Sequence, residues 1–298
     1  MRSLADAMAA GTVILDGGLS TELEARGQDV SSALWSARLL RDDPAAIVAA
    51  HAAFAAAGAQ VATTASYQAT VEGFGAAGVD AGEARRLIAS SVALARDGQG
   101  DGWVAGSVGP YGALLADGSE YTGGYVDHLT VAELRAFHRP RMELLAGAGA
   151  DVLACETVPA AAEAEALIAE ADALGFPIWL SLTTAVDDDG VVRTRRGERA
   201  ADVFAMTADV ESVIAVGVNC TAPGTVGPSI TAAAAAGKPL VVYPNSGEGW
   251  DAVGRRWTGS SGLSTDDVPT WVERGARLVG GCCRVRPADI ATLAATLG

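Results

Sequence analysis

The sequence predicts a (β/α)8 barrel built as one domain over residues 1–298, and three observations carry that expectation. Short apolar runs recur eight times along the chain, and Ala- and Leu-rich helical stretches separate them. There is also no linker, and no G-x-G-x-x-G turn after the first run, to suggest a second domain or an open doubly wound sheet. Runs that are apolar throughout, each followed by a helix, imply parallel strands buried on both faces.

Taken in order, the runs begin near Val13 (TVILD), Val61 (VATT), Trp103 (WVAGS), Val152 (VLACE), Ile178 (IWLSL), Val213 (VIAVGVN), Leu240 (LVVYP) and Leu278 (LVGG). PAAIVAAHAAFAAAG, from Pro44 to Gly58, carries helix punctuation, with Pro in the first turn and Gly after the last. Further helical stretches cover 82–97, 130–147, 160–174, 226–236, 264–274 and 287–297, several closing on Gly149, Gly175, Gly237 or Gly275 just before a strand. The longest connection, Val108 to Thr130, holds GPYGALLADGSEYTGGY, whose length and aromatic content point to a functional lid.

The 21 basic and 36 acidic residues give a net charge of −15, which disfavours nucleic acid or an anionic membrane as partner and leaves a small molecule. No span of 18 apolar residues occurs, and the N-terminus meets Asp6 and a Gly-rich turn where a secretory signal needs an apolar core. Four cysteines, two of them adjacent, do not form a disulfide framework, so a reducing cytoplasmic setting is expected.

In such a barrel the chemistry belongs at the C-terminal ends of the strands. The first strand ends in Asp16-Gly17-Gly18, the second in Thr63-Thr64 with Tyr67 beyond, and the fourth in Cys155-Glu156-Thr157. The fifth ends at Ser181-Leu182-Thr183, the sixth in Asn219-Cys220, the seventh in Tyr243-Pro244-Asn245 and the eighth in Gly280-Gly281-Cys282-Cys283. Three thiolates at one rim would make a soft site suited to Zn²⁺, with a fourth position open for substrate. Packing as small hydrophobes and a vicinal Cys282-Cys283 disulfide stand as alternatives. Gly280 and Gly281 are expected to let the backbone leave strand geometry so that adjacent thiols face one point.

Glu156 follows an apolar run, so it should be partly buried and need a partner such as a ligand ammonium. Asp16 either caps its own turn or joins Glu156, while the Gly17-Gly18 turn offers backbone N–H groups to a carboxylate. The faces of Trp35 and Trp250 either pack, as most Trp residues do, or hold a sulfonium or quaternary ammonium cation. His51, His128 and His138 show no ligand or triad spacing and read as structural or solvated.

Together ILDGGLSTELEARG, ALWSARLL, AGAQVATTASYQAT, GSVGPYGALLADGSEYTGGY, DVLACETVP, GVNCTAP, VVYPNSGEGWD and GGCCRV resemble the homocysteine S-methyltransferase family over nearly the whole chain. The resemblance implies zinc held by Cys220, Cys282 and Cys283, and a homocysteine amino group bound by Asp16 and Glu156 with its carboxylate at Gly17 and Gly18. It places Tyr67 near the metal, Trp35 at the donor, and Cys155 in packing. ADGSEY and YPNSGE point to the branch that uses S-methylmethionine or S-adenosylmethionine, with betaine or thetin donors and selenol acceptors as variants. A redox or zinc-storage thiol protein is the reading from another class.

Overall fold

The computed structural model describes residues 2–32, 34–251, 256–258 and 263–298. Eight parallel strands form its sheet: β1 (Val13–Ile14), β2 (Val61–Thr63), β3 (Trp103–Val108), β4 (Val152–Val158), β5 (Ile178–Leu182), β8 (Val213–Asn219), β9 (Leu240–Tyr243) and β12 (Ala276–Val279). Two antiparallel hairpins supply the intervening numbers, β6 (Thr184–Val186) with β7 (Val192–Thr194), and β10 (Gly249–Asp251) with β11 (Arg256–Thr258). Each barrel strand pairs with the next, β12 pairs with β1, and a parallel bridge from Leu15 to Val61 closes the ring. All eight apolar runs of the sequence are therefore barrel strands.

Period-two alternation sorts the side chains. Val13, Leu15, Val61, Trp103, Ala105, Val152, Ala154, Trp179, Ala215, Val241 and Leu278 fill the barrel interior, with two indoles set among small alanines. Helix Leu4–Ala10, which the sequence reading did not anticipate, adds Leu4, Ala7 and Met8 to that cluster and stoppers the N-terminal end of the barrel. The opposite parity, including Val104, Leu153, Cys155, Leu180, Val216 and Val242, packs outward beneath the helices.

Helices Pro44–Ala56, Ala81–Gln99, Val131–Gly147, Ala161–Leu174 and Pro287–Leu297 lie where the punctuation puts them. Two expected stretches are shorter. The segment 226–236 is α-helical only over Val226–Ala233 and then tightens to 3-10, and 264–274 is helical only over Val268–Glu273, with Pro269 in its first turn. No described helix is long and apolar enough to cross a membrane.

Candidate active site

Followed toward the C-terminal ends, the interior parity turns polar: Thr63 comes after Val61, Ser107 after Ala105, Glu156 after Ala154, Ser181 after Trp179 and Tyr243 after Val241. Above this polar layer lies a cavity of about 120 Å³. Asp16, Gly17, Gly18, Trp35, Tyr67, Glu156, Cys220, Cys282 and Cys283 all line it. Trp250 belongs to β10, but its side chain lies outside the described residues.

The Cys220, Cys282 and Cys283 sulfurs lie within 4.8 Å of one another. Cys220 and Cys282 are joined as a disulfide with Cα atoms 5.6 Å apart, and Cys283 Sγ stands 3.9 Å from Cys220 Sγ. The vicinal pairing of Cys282 with Cys283 is thus not the one formed; the contact runs across the barrel mouth. Burial pushes the Cys283 thiol up to about 11. Cys155 is fully buried on the outward face of β4, away from this cluster.

Gly280 and Gly281 do not act through backbone freedom, since neither has a positive φ. They act through close approach: a Cβ on Gly280 would lie 2.6 Å from Leu15 Cβ, and one on Gly281 would lie 2.2 Å from Val285 Cγ1. Three non-glycine residues with left-handed backbone, Cys220 at φ 44°, Thr157 at 60° and Trp35 at 47°, line the cavity, and Arg284, next to Cys283 in the chain, is at 67°. Backbone held there costs about 1–3 kcal/mol per residue and persists only where the surroundings enforce it.

Asp16 does more than sit in its own turn. Its carboxylate crosses to the end of β2, accepting from Thr63 N–H at 2.7 Å and from Thr63 Oγ1 at 2.9 Å. Glu156 accepts from the Ser107 hydroxyl at the end of β3, and Tyr243 is a further hydrogen-bond partner. Tyr243 is fixed in turn by Trp179 Nε1 at 2.9 Å and Ser181 Oγ at 2.7 Å. Asn219 ties β8 to β4 by accepting from Thr157 N–H at 2.7 Å. Burial raises both carboxyls, Asp16 and Glu156, to about 7.

The glycine turn is only half as available as the sequence suggests. The Gly18 N–H is already donated to the Val285 carbonyl at 2.9 Å, which leaves Gly17 as the amide without a hydrogen-bond partner among the described residues.

The connection after β3 folds into short helical turns at Tyr111–Leu115, Ser119–Tyr121 and Gly124–Asp127. Glu163, fully buried on helix Ala161–Leu174, anchors it by accepting from Tyr111 N–H at 2.6 Å and from the Tyr125 hydroxyl. His138 Nε2 meets the same carboxylate at 2.9 Å, so this histidine is structural. From this connection Glu120 and Tyr121 enter the cavity, and with Ser107 they are among the lining residues that the sequence did not single out. Counting by two from Trp103 finds Ser107; only the ADGSEY string hinted at the other two.

A family model for homocysteine S-methyltransferase matches residues 13–297. The chain is 45% identical over 300 residues to a homocysteine S-methyltransferase of Escherichia coli (strain K12), covering 95% of this chain and 94% of that one. It is 38% identical over 305 residues to a selenocysteine Se-methyltransferase of Brassica oleracea var. italica, covering 94% and 87%. The fold superposes on the homocysteine methyltransferase MmuM from Escherichia coli with a TM-score of 0.84 and 44% identity, over 96% of each chain, in both its metallated and its oxidized form. With the barrel, its cysteine-lined mouth and these matches in agreement, the chain belongs to the homocysteine S-methyltransferase family.

Proposed function

We propose that this protein transfers a methyl group from a sulfonium donor, S-methylmethionine or S-adenosylmethionine, to the thiol of L-homocysteine, giving methionine. The observation that carries this reading is the convergence of three sulfurs beside two buried carboxylates in one cavity.

Cys220, Cys282 and Cys283 are the residues that would hold zinc, once the Cys220–Cys282 pair is reduced. They are a soft donor set of three, and burial opposes ionisation of Cys283 unless a cation compensates. Bound zinc would supply the positive charge that keeps an incoming thiol ionised at neutral pH. The need for reduced thiols makes a reducing compartment, the cytoplasm, part of the proposal.

The remaining work falls to the chain's own groups. Asp16, steadied by Thr63, and Glu156, steadied by Ser107 and Tyr243, accept the homocysteine ammonium, which compensates the cost of their ionisation in a buried site. Gly17 offers its N–H to the substrate carboxylate. Trp35 and Tyr67 wall the donor side, where an aromatic face attracts a sulfonium. The homocysteine sulfur forms the new S–CH₃ bond while the electron pair of the breaking bond passes to the donor sulfur, which leaves as a neutral thioether. No general acid is needed; alignment and exclusion of water by the lid are.

The test is to supply reduced, zinc-loaded protein and homocysteine with S-methylmethionine, S-adenosylmethionine or betaine in turn, and to quantify methionine. Cys220→Ala should lose both metal and activity, whereas Cys155→Ala should keep both. Full activity in metal-free protein would sink the reading. The Cys220–Cys282 disulfide favours thiol redox chemistry as the second reading, and methionine formation separates the two. The Brassica relative makes a selenol acceptor the natural variant to assay.

A further inference from the structure

Among the described residues three carboxylates line the cavity, and one acceptor ammonium engages at most the two that stand together. Asp16 and Glu156 are that pair, since the charge of Glu156 acts directly on Asp16. Glu120 is separate. It rides on the lid, it is 5% exposed, and its Oε2 is buried without a hydrogen-bond partner among the described residues. Tyr67 lines the same cavity, and the charges of Glu120 and Glu156 both act on its hydroxyl.

Its placement is built rather than incidental. The turn that carries Glu120 lies so close to helix Tyr111–Leu115 that a Cβ on Gly112 would sit 2.4 Å from the Glu120 nitrogen. The next residue, Tyr121, sits against the Cys283 thiol, which puts Glu120 one residue from the place where methyl must pass. Burial raises the Glu120 carboxyl above its ordinary value, as expected of an acid awaiting a cation.

We infer that Glu120 binds the α-ammonium group of the methyl donor, so that the pocket selects donors that are themselves amino acids. This assignment rests on the sulfonium-donor reading above. A buried carboxylate oxygen without a partner calls for an N–H, which an ammonium has and a sulfonium lacks. The sulfonium itself suits the aromatic faces of Trp35 and Tyr121. Homocysteine and donor are then each held by their own acidic group in the one cavity.

The experiment is steady-state kinetics of the zinc-loaded enzyme and of Glu120→Gln and Glu120→Asp, with S-methylmethionine and with dimethylsulfoniopropionate, a sulfonium lacking the amine. Loss of one charged hydrogen bond should raise KM for S-methylmethionine about 10- to 100-fold in Glu120→Gln, with Glu120→Asp recovering part of the loss. KM for homocysteine, metal content and any turnover of dimethylsulfoniopropionate should stay within about 2-fold of wild type. An unchanged S-methylmethionine KM, an equal loss with both donors, or a homocysteine KM that rises in step would overturn the Glu120 assignment while leaving methyl transfer intact. Wild-type enzyme that turns over neither sulfonium overturns the donor reading, and this assignment with it.

Discussion

Asp16 and Glu156 are carboxylates that burial has moved into the neutral range, both to about 7. The sign of the consequence follows from linkage: a folded-state pKa above the unfolded one makes ionisation costlier in the folded protein, so stability falls as pH rises through that window. For Glu156 the window runs from its ordinary 4.5 to about 7. Unliganded, metal-free Glu156→Gln should therefore be more stable than wild type at pH 8, by up to about 3 kcal/mol, and no more stable near pH 4.5. Urea unfolding at the two pH values measures this, and equal stabilities at both would refute the burial account. The same variant should raise the homocysteine KM about 10-fold or more, because the ammonium loses a charged partner.

At the scale of the element, alternation along β4 decides function. Cys155 and Glu156 are chain neighbours, yet one packs under the helices and the other enters the cavity, because successive strand residues face opposite sides. Gly217 illustrates the same rule on β8. It lies on the interior parity between Ala215 and Asn219, and a Cβ there would stand 1.8 Å from the Val241 carbonyl oxygen. Gly217→Ala should force β8 from β9, lower stability by about 3 kcal/mol or more, and disturb the cysteine that follows Asn219. Gly224→Ala is the control, since nothing lies within 4 Å of its Cβ and its φ is not positive. Thermal melts of the two variants side by side decide the matter; equal melting temperatures would exclude the clash.

At the scale of the whole molecule the barrel has two ends with separate duties. Leu4 and Met8 are 3% and 2% exposed at the N-terminal stopper, with the polar layer and cavity at the other end. Leu4→Ala or Met8→Ala should each cost about 2–4 kcal/mol of stability while leaving KM for homocysteine unchanged. Denaturant titration paired with kinetics checks both halves, and a shifted KM would show that the two ends are coupled. Ring closure is short at its seam: β1 has two residues, and the contact with β2 is completed by the Leu15–Val61 bridge and the Asp16 carboxylate on Thr63. One residue thus serves closure and cavity together.

Strand-helix alternation and the placement of Asp16, Glu156 and the cysteines at strand ends were legible in the sequence, because periodicity and burial act locally along a chain. Helix Leu4–Ala10 was not legible, since seven residues give too few turns for a periodic signal and only the open barrel end calls for a stopper. Glu120 escaped for a similar reason, lying in a Gly-rich lid whose path is set by Gly112 and the Glu163 anchor rather than by its own pattern. Only the closed barrel brings Cys220 to Cys282, 62 residues away, and Ser107 to Glu156, 49 residues away. Such pairings depend on the return of every intervening strand and helix, and no local preference encodes them. The sequence by itself determined which groups reach the rim; tertiary closure decided which of them meet, and which carboxylate stands apart.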